Sequence, residues 1–131
     1  MSQPMATAAL YSPEEMTDTL WHTIKHMMRE FSFSDEEVRI ILGNMPRSTF
    51  FKGVKHHNVT LSHDTQDRVS LLLGIYKSLR ILFSDSKQAL TWIDRANDLA
   101  PFNGRKPRDY MLTGHFMDLA EVRHFLDYWR G

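Results

Sequence analysis

A row of apolar side chains between residues 69 and 83 most strongly constrains how this chain can fold. Its members recur at steps of three and four residues and are Val69, Leu72, Leu73, Tyr76, Leu79, Leu82 and Phe83. Steps of this kind place side chains on one face of an α-helix. Ser62 stands where an N-cap residue belongs. The sequence therefore predicts a long helix that forms the spine of a helical core.

Helix signals also occur on both sides of this spine. Ser12 and Ser34 are each followed three residues later by a glutamate, Glu15 and Glu37, which is the pattern of a capping box. The first helix is predicted to end near Glu30, with a buried row of Leu20, Ile24, Met27, Met28 and Phe31. The last is predicted to bury a row of Leu119, Val122, Leu126 and Trp129. The predicted fold class is all-α.

Residues 34–52 have the spacing of a helix-turn-helix, in which the second helix enters the major groove of DNA. A short amphipathic helix ends at Gly43, and Pro46 can open the next. Residues 44–57 contain basic residues and no acid, which favours phosphate contact. The predicted DNA-binding residues are Arg47, Ser48, Thr49, Lys52 and Lys55. The alternative is that these helices only pack as a lid over the rest of the chain.

A polar segment with several histidines, residues 54–60, is the predicted domain boundary. The expected organisation is a flexible N-terminus over residues 1–11, a helical subdomain over 12–60 and a C-terminal domain over 61–131. A compact C-terminal domain is expected because the spine helix needs a partner for its apolar face.

Composition excludes several classes of protein. The 16 basic residues balance the 16 acidic ones, so no overall charge favours nucleic acid or membranes. Cysteine is absent, which excludes disulfides and thiol catalysis. The first residues lack the pattern of a signal peptide, and no apolar run is long enough to span a bilayer. A cytoplasmic protein without membrane association is expected.

Motifs for catalysis and metal binding are not evident in the sequence. No phosphate-binding glycine loop, nucleophile elbow or HExxH pattern occurs. His22 and His26 lie one helical turn apart, and His56, His57 and His63 fall near the boundary segment. Without an evident further ligand, we interpret these histidines as solvated surface residues. We therefore expect no enzyme activity, cofactor, metal ion or small-molecule substrate, and a histidine-dependent metal protein is the third-ranked hypothesis.

The loop near residue 102 and the C-terminal tail are the candidates for contact with another protein. Pro101, Gly104 and Pro107 punctuate the loop, and Phe102 between them is expected to be exposed and presented to a partner. The tail concentrates residue types common in protein interfaces, with Tyr128, Trp129 and Arg130 in succession. The alternative for Trp129 is that it closes the core.

The same residues resemble a known family. DRVSLLLGIYKSLRILF (67–83), Trp92-Ile93, Ala96-Asn97, APFNGRKPRDYMLTG (100–114) and DLAEVRHFLDYWRG (118–131) are similar to the toxin-binding domain of the Xre/MbcA/ParS-type antitoxins. DEEVRIILGNMPRSTFFK (35–52) resembles their Xre-like helix-turn-helix. Two positions depart from the family pattern. Ala96 stands where a proline is usual, and Gly53 where an aromatic anchor is usual.

The resemblance implies an antitoxin with a helix-turn-helix subdomain followed by a toxin-binding domain. Such a protein forms a homodimer, occludes the active site of a RES-domain toxin that consumes NAD, and can repress its own operon by binding operator DNA. The matching toxin-binding positions are Phe102, Asn103, Gly104 and Arg105 in the loop, and Arg123, Tyr128, Trp129, Arg130 and Gly131 at the C-terminus. The tail is expected to block the toxin through its bulk and the terminal carboxylate of Gly131. The alternative is a stand-alone transcriptional regulator.

Overall fold

The computed structural model describes residues 11–131, and every regular element in that range is helical. The α-helices are α1 (Pro13–Phe31), α2 (Asp35–Ile41), α3 (Arg47–His56), α4 (His63–Leu82), α5 (Ser86–Thr91), α6 (Pro107–Met111) and α7 (Phe116–Arg130), and a 3-10 turn, Trp92–Asp94, follows α5. The all-α prediction is confirmed for these residues. The predicted flexible segment, residues 1–11, lies outside them except for Tyr11.

The predicted caps form as hydrogen-bonded units. In the first capping box, the Ser12 backbone N–H donates to Glu15 Oε1 at 2.8 Å and the Glu15 N–H donates to Ser12 Oγ at 3.1 Å. Ser34 and Glu37 repeat this reciprocal pair at 2.9 and 3.1 Å. Each box satisfies two backbone donors that the first turn of a helix leaves unpaired. These boxes fix where α1 and α2 begin.

Helix α4 is the central element, as the apolar row predicts. Its buried apolar residues are Val69, Leu72, Ile75 and Leu79, which pack in one cluster with Leu119, Val122 and Leu126 of α7. Leu73, Leu82 and Phe83 are only half-buried, so the core side of α4 is rotated towards Ile75. Gly74 leaves room for the Arg123 guanidinium of α7, which a β-carbon at this position would displace.

Trp21 of α1 fills the space between α1 and α3. Its side chain is completely buried, and the indole Nε1 donates a hydrogen bond to the Val59 carbonyl at 2.8 Å. The predicted row of α1 omitted Trp21 and included Leu20 and Met28, which are half-buried. Trp21 lies three residues before Ile24, a spacing that keeps both residues on the same helix face.

Several polar contacts connect the N-terminal helices to the C-terminal part of the chain. The Tyr76 hydroxyl donates to Glu30 Oε1 at 3.0 Å. The buried Arg68 side chain donates from Nη1 to the carbonyls of Ile41, at 3.3 Å, and Gly114, at 3.0 Å. These bonds hold the ends of α2 and α6 against α4. The division of the chain at residue 60 stays a prediction.

Over residues 11–131, none of the helices combines the length and the apolar character that crossing a bilayer requires.

Candidate partner-binding surface

Phe102 is buried, so the prediction that it is presented to a partner is wrong. None of its side chain is exposed. Its ring centroid lies 5.9 Å from that of Trp92, 5.7 Å from Tyr110 and 5.1 Å from Phe125, each at a steep interplanar angle. Edge-to-face contacts at these distances are favourable for aromatic rings. The loop folds inward over Phe102 because three other aromatic side chains form a pocket for it.

The backbone of the loop is held by short internal hydrogen bonds. The Gly104 N–H donates to the Asn97 carbonyl at 2.7 Å, and the Asn97 N–H donates to the Arg105 carbonyl at 3.1 Å. Asn103 and Gly104 adopt positive φ angles of 51° and 93° and lie at the exposed tip of the loop. The loop therefore exposes its backbone and the neighbouring side chains to solvent, while the buried Phe102 packs beneath it and holds it in place.

Arg105 is exposed but folds back on the loop that contains it. Its Nε donates to the Phe102 carbonyl at 3.0 Å and its Nη2 donates to the Pro101 carbonyl at 3.1 Å. The guanidinium carbon lies 4.7 Å from the Tyr110 ring centroid, which is cation–π distance. Arg105 thus stabilises the loop and contributes one positive charge to its surface.

The loop and α7 border one apolar groove. The groove has a volume of about 400 Å³. It is lined by Leu99, Ala100 and Pro101 of the loop and by Glu121, His124, Phe125, Tyr128 and Trp129 of α7. Leu99, Tyr128 and Trp129 are 51%, 78% and 54% exposed. Apolar side chains so exposed at the edges of one groove are typical of a protein interaction site.

A second apolar groove adjoins the first. Its volume is about 290 Å³, and it is lined by Leu82, Phe83, Trp92, Phe125, Leu126 and Trp129. Phe125 and Trp129 border both grooves, and their ring centroids are 6.2 Å apart. Trp129 therefore lies in the middle of a continuous apolar surface. We call the residues lining the two grooves the C-terminal surface.

The predicted buried row of α7 is correct for Leu119, Val122 and Leu126 but wrong for Trp129. The first three side chains are buried in the core, whereas more than half of Trp129 is exposed. Trp129 is exposed because it lies in the last turn of α7, beyond the end of the core. The sequence left open whether Trp129 closes the core or faces a partner, and the described structure places it at the surface.

Arg123 and Arg130 lie on another side of α7. They are about two turns apart and so share one face. Arg123 Nε donates to Asp127 Oδ2 at 3.2 Å, and Arg130 Nη1 donates to Ser78 Oγ of α4 at 3.2 Å. Neither arginine lines the two grooves. Gly131 is exposed beyond the end of the helix. The predicted toxin-binding residues therefore do not all meet at one place.

The predicted DNA-binding residues are on or near the exposed side of α3. Arg47, Ser48, Lys52 and Lys55 are exposed, and Thr49 is half-buried. Ser48, Lys52 and Lys55 follow steps of four and three residues, which puts them on one helix face. Arg47 is paired with Glu36 of α2, and its guanidinium carbon lies 5.3 Å from the Phe51 ring centroid.

Leu99 and Phe125, which contribute much of the C-terminal surface, were not among the predicted site residues. Phe125 lies one helical turn before Trp129, so the pattern of α7 could have identified the pair. Leu99 follows the end of the helical pattern in an irregular loop. No periodicity marks such a residue, because its exposure depends on how the loop folds over Phe102.

The described residues therefore form an all-helical protein with an exposed apolar surface at its C-terminal end, a feature typical of proteins that bind a protein partner. Residues 78–131 match the family model described as the antitoxin Xre/MbcA/ParS C-terminal toxin-binding domain. The matched residues include α5, α6, α7 and the loop around Phe102. Residues 78–131 belong to this antitoxin domain family, and the resemblance seen in the sequence is confirmed for this C-terminal part of the chain.

Similarity to a known protein covers more of the chain than the matched C-terminal residues do. The chain is similar to the uncharacterized protein y4oB of Sinorhizobium fredii (strain NBRC 101917 / NGR234), with 44% identity over 98 residues. The similarity covers 75% of this chain and 73% of the relative. No solved structure matches the chain.

Proposed function

We propose that this protein is the antitoxin of a toxin–antitoxin pair and that it inhibits a RES-domain, NAD-consuming toxin by covering the entrance to its active site. The observation that carries the proposal is the position of the C-terminal surface within the matched toxin-binding domain. A solvent-exposed tryptophan and tyrosine beside an apolar groove have the character of interface hot spots. The charged residues at the groove are few, which favours an apolar complementary surface on the toxin.

In this mechanism the toxin docks on the loop and α7 together. Leu99 and Trp129 supply apolar area from opposite sides of the groove, and Tyr128 extends beyond it. The loop tip at Asn103 and Gly104 adds backbone groups that are free of bulky side chains. Because the loop is supported by Phe102 and Arg105, docking costs little conformational entropy. A rigid surface placed over the entrance to the toxin would exclude NAD by steric hindrance.

The test compares two exposed apolar residues of α7. Trp129 lines both grooves, whereas Met117 is 68% exposed and lines neither. The full chain and a RES-domain toxin encoded next to it are purified, and their affinity and NAD consumption are measured. We expect Trp129→Ala to weaken binding at least about 30-fold and to restore NAD consumption, as for a hot-spot residue.

Met117→Ala is the matched control and should leave inhibition unchanged. Equal inhibition by the wild type and by Trp129→Ala would contradict docking at the C-terminal surface. The choice of toxin would be contradicted if no RES-domain protein were encoded near this chain and if expression of the neighbouring genes left the NAD pool unchanged.

Autoregulation through operator DNA is the second part of the proposal. It is supported by the exposed row of Ser48, Lys52 and Lys55 on α3, which follows a turn after α2. Lysine side chains on such a face can contact phosphates and release counterions, so affinity should fall steeply with salt. A homodimer, as the resemblance implies, would double this contact.

The DNA test uses fluorescence anisotropy with the promoter fragment that precedes the chain's own gene. Lys52→Ala combined with Lys55→Ala should weaken binding and reduce the slope of affinity against salt concentration by about two. Lys77→Ala, which removes one exposed charge from α4, is the control. Specific DNA binding by a protein that binds no toxin would favour the stand-alone regulator instead.

A further inference from the structure

Three potential metal ligands meet where the start of α1 lies beside the end of α3. Asp18 and His22 are one turn apart on α1, and His57 is the residue that caps the C-terminus of α3. His57 adopts a left-handed conformation with φ 56°, which directs the chain back towards α1. One ligand atom from each residue lies within 4.8 Å of the other two. This grouping differs from the pair of His22 and His26 that the sequence suggests.

Two of the three separations between these atoms are close to those of a tetrahedral metal site. Asp18 Oδ1 lies 3.1 Å from His57 Nδ1 and 3.5 Å from His22 Nε2. Ligands bound to zinc at about 2.0 to 2.1 Å in tetrahedral geometry are about 3.3 to 3.4 Å apart. The remaining separation, between the two histidine nitrogens, is within 4.8 Å. The His22 and His57 rings meet edge to face with their centroids 4.3 Å apart, so binding a metal requires a new rotamer of the exposed His22 side chain. The fold therefore brings the three ligands close to one another.

Lys25 lies beside His57 and favours one arrangement of its hydrogen bonds. The Lys25 ammonium lies 3.2 Å from His57 Nε2 and can only donate, so Nε2 accepts. A neutral imidazole then carries its proton on Nδ1, which donates to Asp18 Oδ1. A metal ion bound to Nδ1 requires that this proton move through solvent to Nε2 and that Lys25 withdraw. Lys25 therefore competes with the metal.

We infer that Asp18, His22 and His57 form a Zn²⁺ site that links the end of α3 to α1. Two imidazoles and one carboxylate suit zinc better than Mg²⁺ or Ca²⁺, which prefer oxygen ligands. The site opens to solvent, because Asp18 and His22 are exposed, while His57 is only 14% exposed and fixes the position of the ion. A groove of about 320 Å³, lined by Asp18 and His57 but not by His22, leaves room for a water molecule as the fourth ligand.

The linkage has a structural consequence for α3. The same two helices already meet at Trp21 and Gly53, which pack without intervening space. A metal ion at His57 would fix the C-terminal end of α3 to α1, one turn beyond that contact. Zinc would thereby hold the proposed DNA-binding helix in one orientation. This consequence rests on the proposed function, whereas zinc binding itself does not.

The experiment is calorimetric titration of the full chain, without an affinity tag, with ZnCl₂, together with thermal unfolding with and without the ion. We expect one Zn²⁺ per chain and a higher unfolding temperature, and no such effect with MgCl₂. His22→Ala should bind zinc at least about tenfold more weakly because it loses one of three protein ligands. His22 is exposed, so this variant should fold normally.

His26→Ala and His56→Ala are the matched controls, since both remove an exposed histidine outside the cluster. They should bind zinc as the wild type does. Lys25→Met should bind zinc about fivefold more tightly, because a neighbouring positive charge is removed. The proposed site would be wrong if the wild type did not bind zinc. It would also be wrong if His22→Ala and His26→Ala weakened zinc binding equally. Unchanged or weaker binding by Lys25→Met would overturn the assignment of His57 as a ligand.

Discussion

Gly53 of α3 packs directly against the indole ring of Trp21, and the space between them does not admit a β-carbon. Trp21 is held in place by its hydrogen bond to the Val59 carbonyl. This contact gives a reason for glycine at a position where the resembled family usually has an aromatic anchor. The aromatic ring at this place comes from α1 instead of α3, and a side chain on both helices would not fit.

We therefore expect Gly53→Ala to lower the free energy of unfolding by about 1 to 3 kcal/mol, as overpacking of a rigid core does. The higher helix propensity of alanine offsets only part of this loss. Urea denaturation followed by circular dichroism measures the change. Lys52→Ala, at the preceding exposed position of α3, should differ from the wild type by less than about 0.5 kcal/mol. A Gly53→Ala protein as stable as Lys52→Ala would contradict the close contact.

Substitutions at Phe102 and Leu99 should distinguish residues that stabilise the fold from residues that bind the partner. Phe102→Ala should cost about 3 to 5 kcal/mol of stability, because it empties the site among Trp92, Tyr110 and Phe125. Leu99→Ala should change stability by less than about 0.5 kcal/mol, since Leu99 is half exposed. Denaturation curves and titration with the toxin, performed on both variants, measure the two effects.

Leu99→Ala should nevertheless weaken toxin binding, because Leu99 lines the groove. If Phe102→Ala were as stable as the wild type, burial of the Phe102 ring would not stabilise the fold. If Leu99→Ala bound the toxin as tightly as the wild type, the loop side of the groove would not belong to the interface.

The sequence predicted best what depends on neighbours along the chain. The capping boxes at Ser12 and Ser34 involve residues three positions apart, and both formed as expected. The apolar row of α4 likewise depends only on helical periodicity. Such local patterns fix the fold class and the positions of most helices.

The candidate site was less predictable because it depends on contacts between distant segments. The residues next to Phe102 in the sequence do not show whether its side chain is exposed or buried. It is buried because it packs against residues distant in the sequence, such as Phe125. Periodicity places Trp129 with Leu126 on one side of α7, but it cannot tell where the core ends. The cluster of Asp18, His22 and His57 was equally invisible, since His57 is brought to α1 only by the fold.

Arg108 connects three segments of the chain, and its loss should lower the stability of the fold. Its guanidinium lies 2.5 Å from Asp94 Oδ1 and 3.3 Å from Glu37 Oε1, and it donates to the Phe31 carbonyl at 2.7 Å. Burial alone would lower the pKa of Arg108, but the two carboxylates more than offset this and raise it. The side chain is thus charged and only 16% exposed.

Arg108→Met should lower the free energy of unfolding by about 2 to 3 kcal/mol, because the half-buried Glu37 carboxylate, the exposed Asp94 carboxylate and a carbonyl lose their donor. Arg108→Lys should recover only part of the loss, as an ammonium cannot bond all three groups in the same plane. Urea denaturation distinguishes the three proteins. A methionine variant as stable as the wild type would mean that solvent replaces the guanidinium without cost.

Tyr110 and Glu121 give a prediction for alkaline pH at the edge of the groove. The Tyr110 hydroxyl donates to Glu121 Oε1 at 2.9 Å, and Glu121 lines the groove. The hydrogen bond to Glu121, followed by burial, raises the pKa of Tyr110 above its usual value of about 10. A raised pKa means that the folded state favours the neutral hydroxyl. Its contribution to stability is complete below pH 10 and is lost as the pH rises through the folded pKa.

The stability advantage of the wild type over Tyr110→Phe should therefore be constant at neutral pH and shrink above about pH 10. Urea denaturation of both proteins between about pH 7 and pH 11 measures this difference, and subtraction removes the titration of groups common to both. The absorbance of tyrosinate, followed against pH, should show that the variant has lost one tyrosine with a raised pKa. Two parallel stability profiles would mean that the bond to Glu121 contributes nothing. Glu121 would then be free to turn towards solvent, and the groove would have no fixed acidic edge.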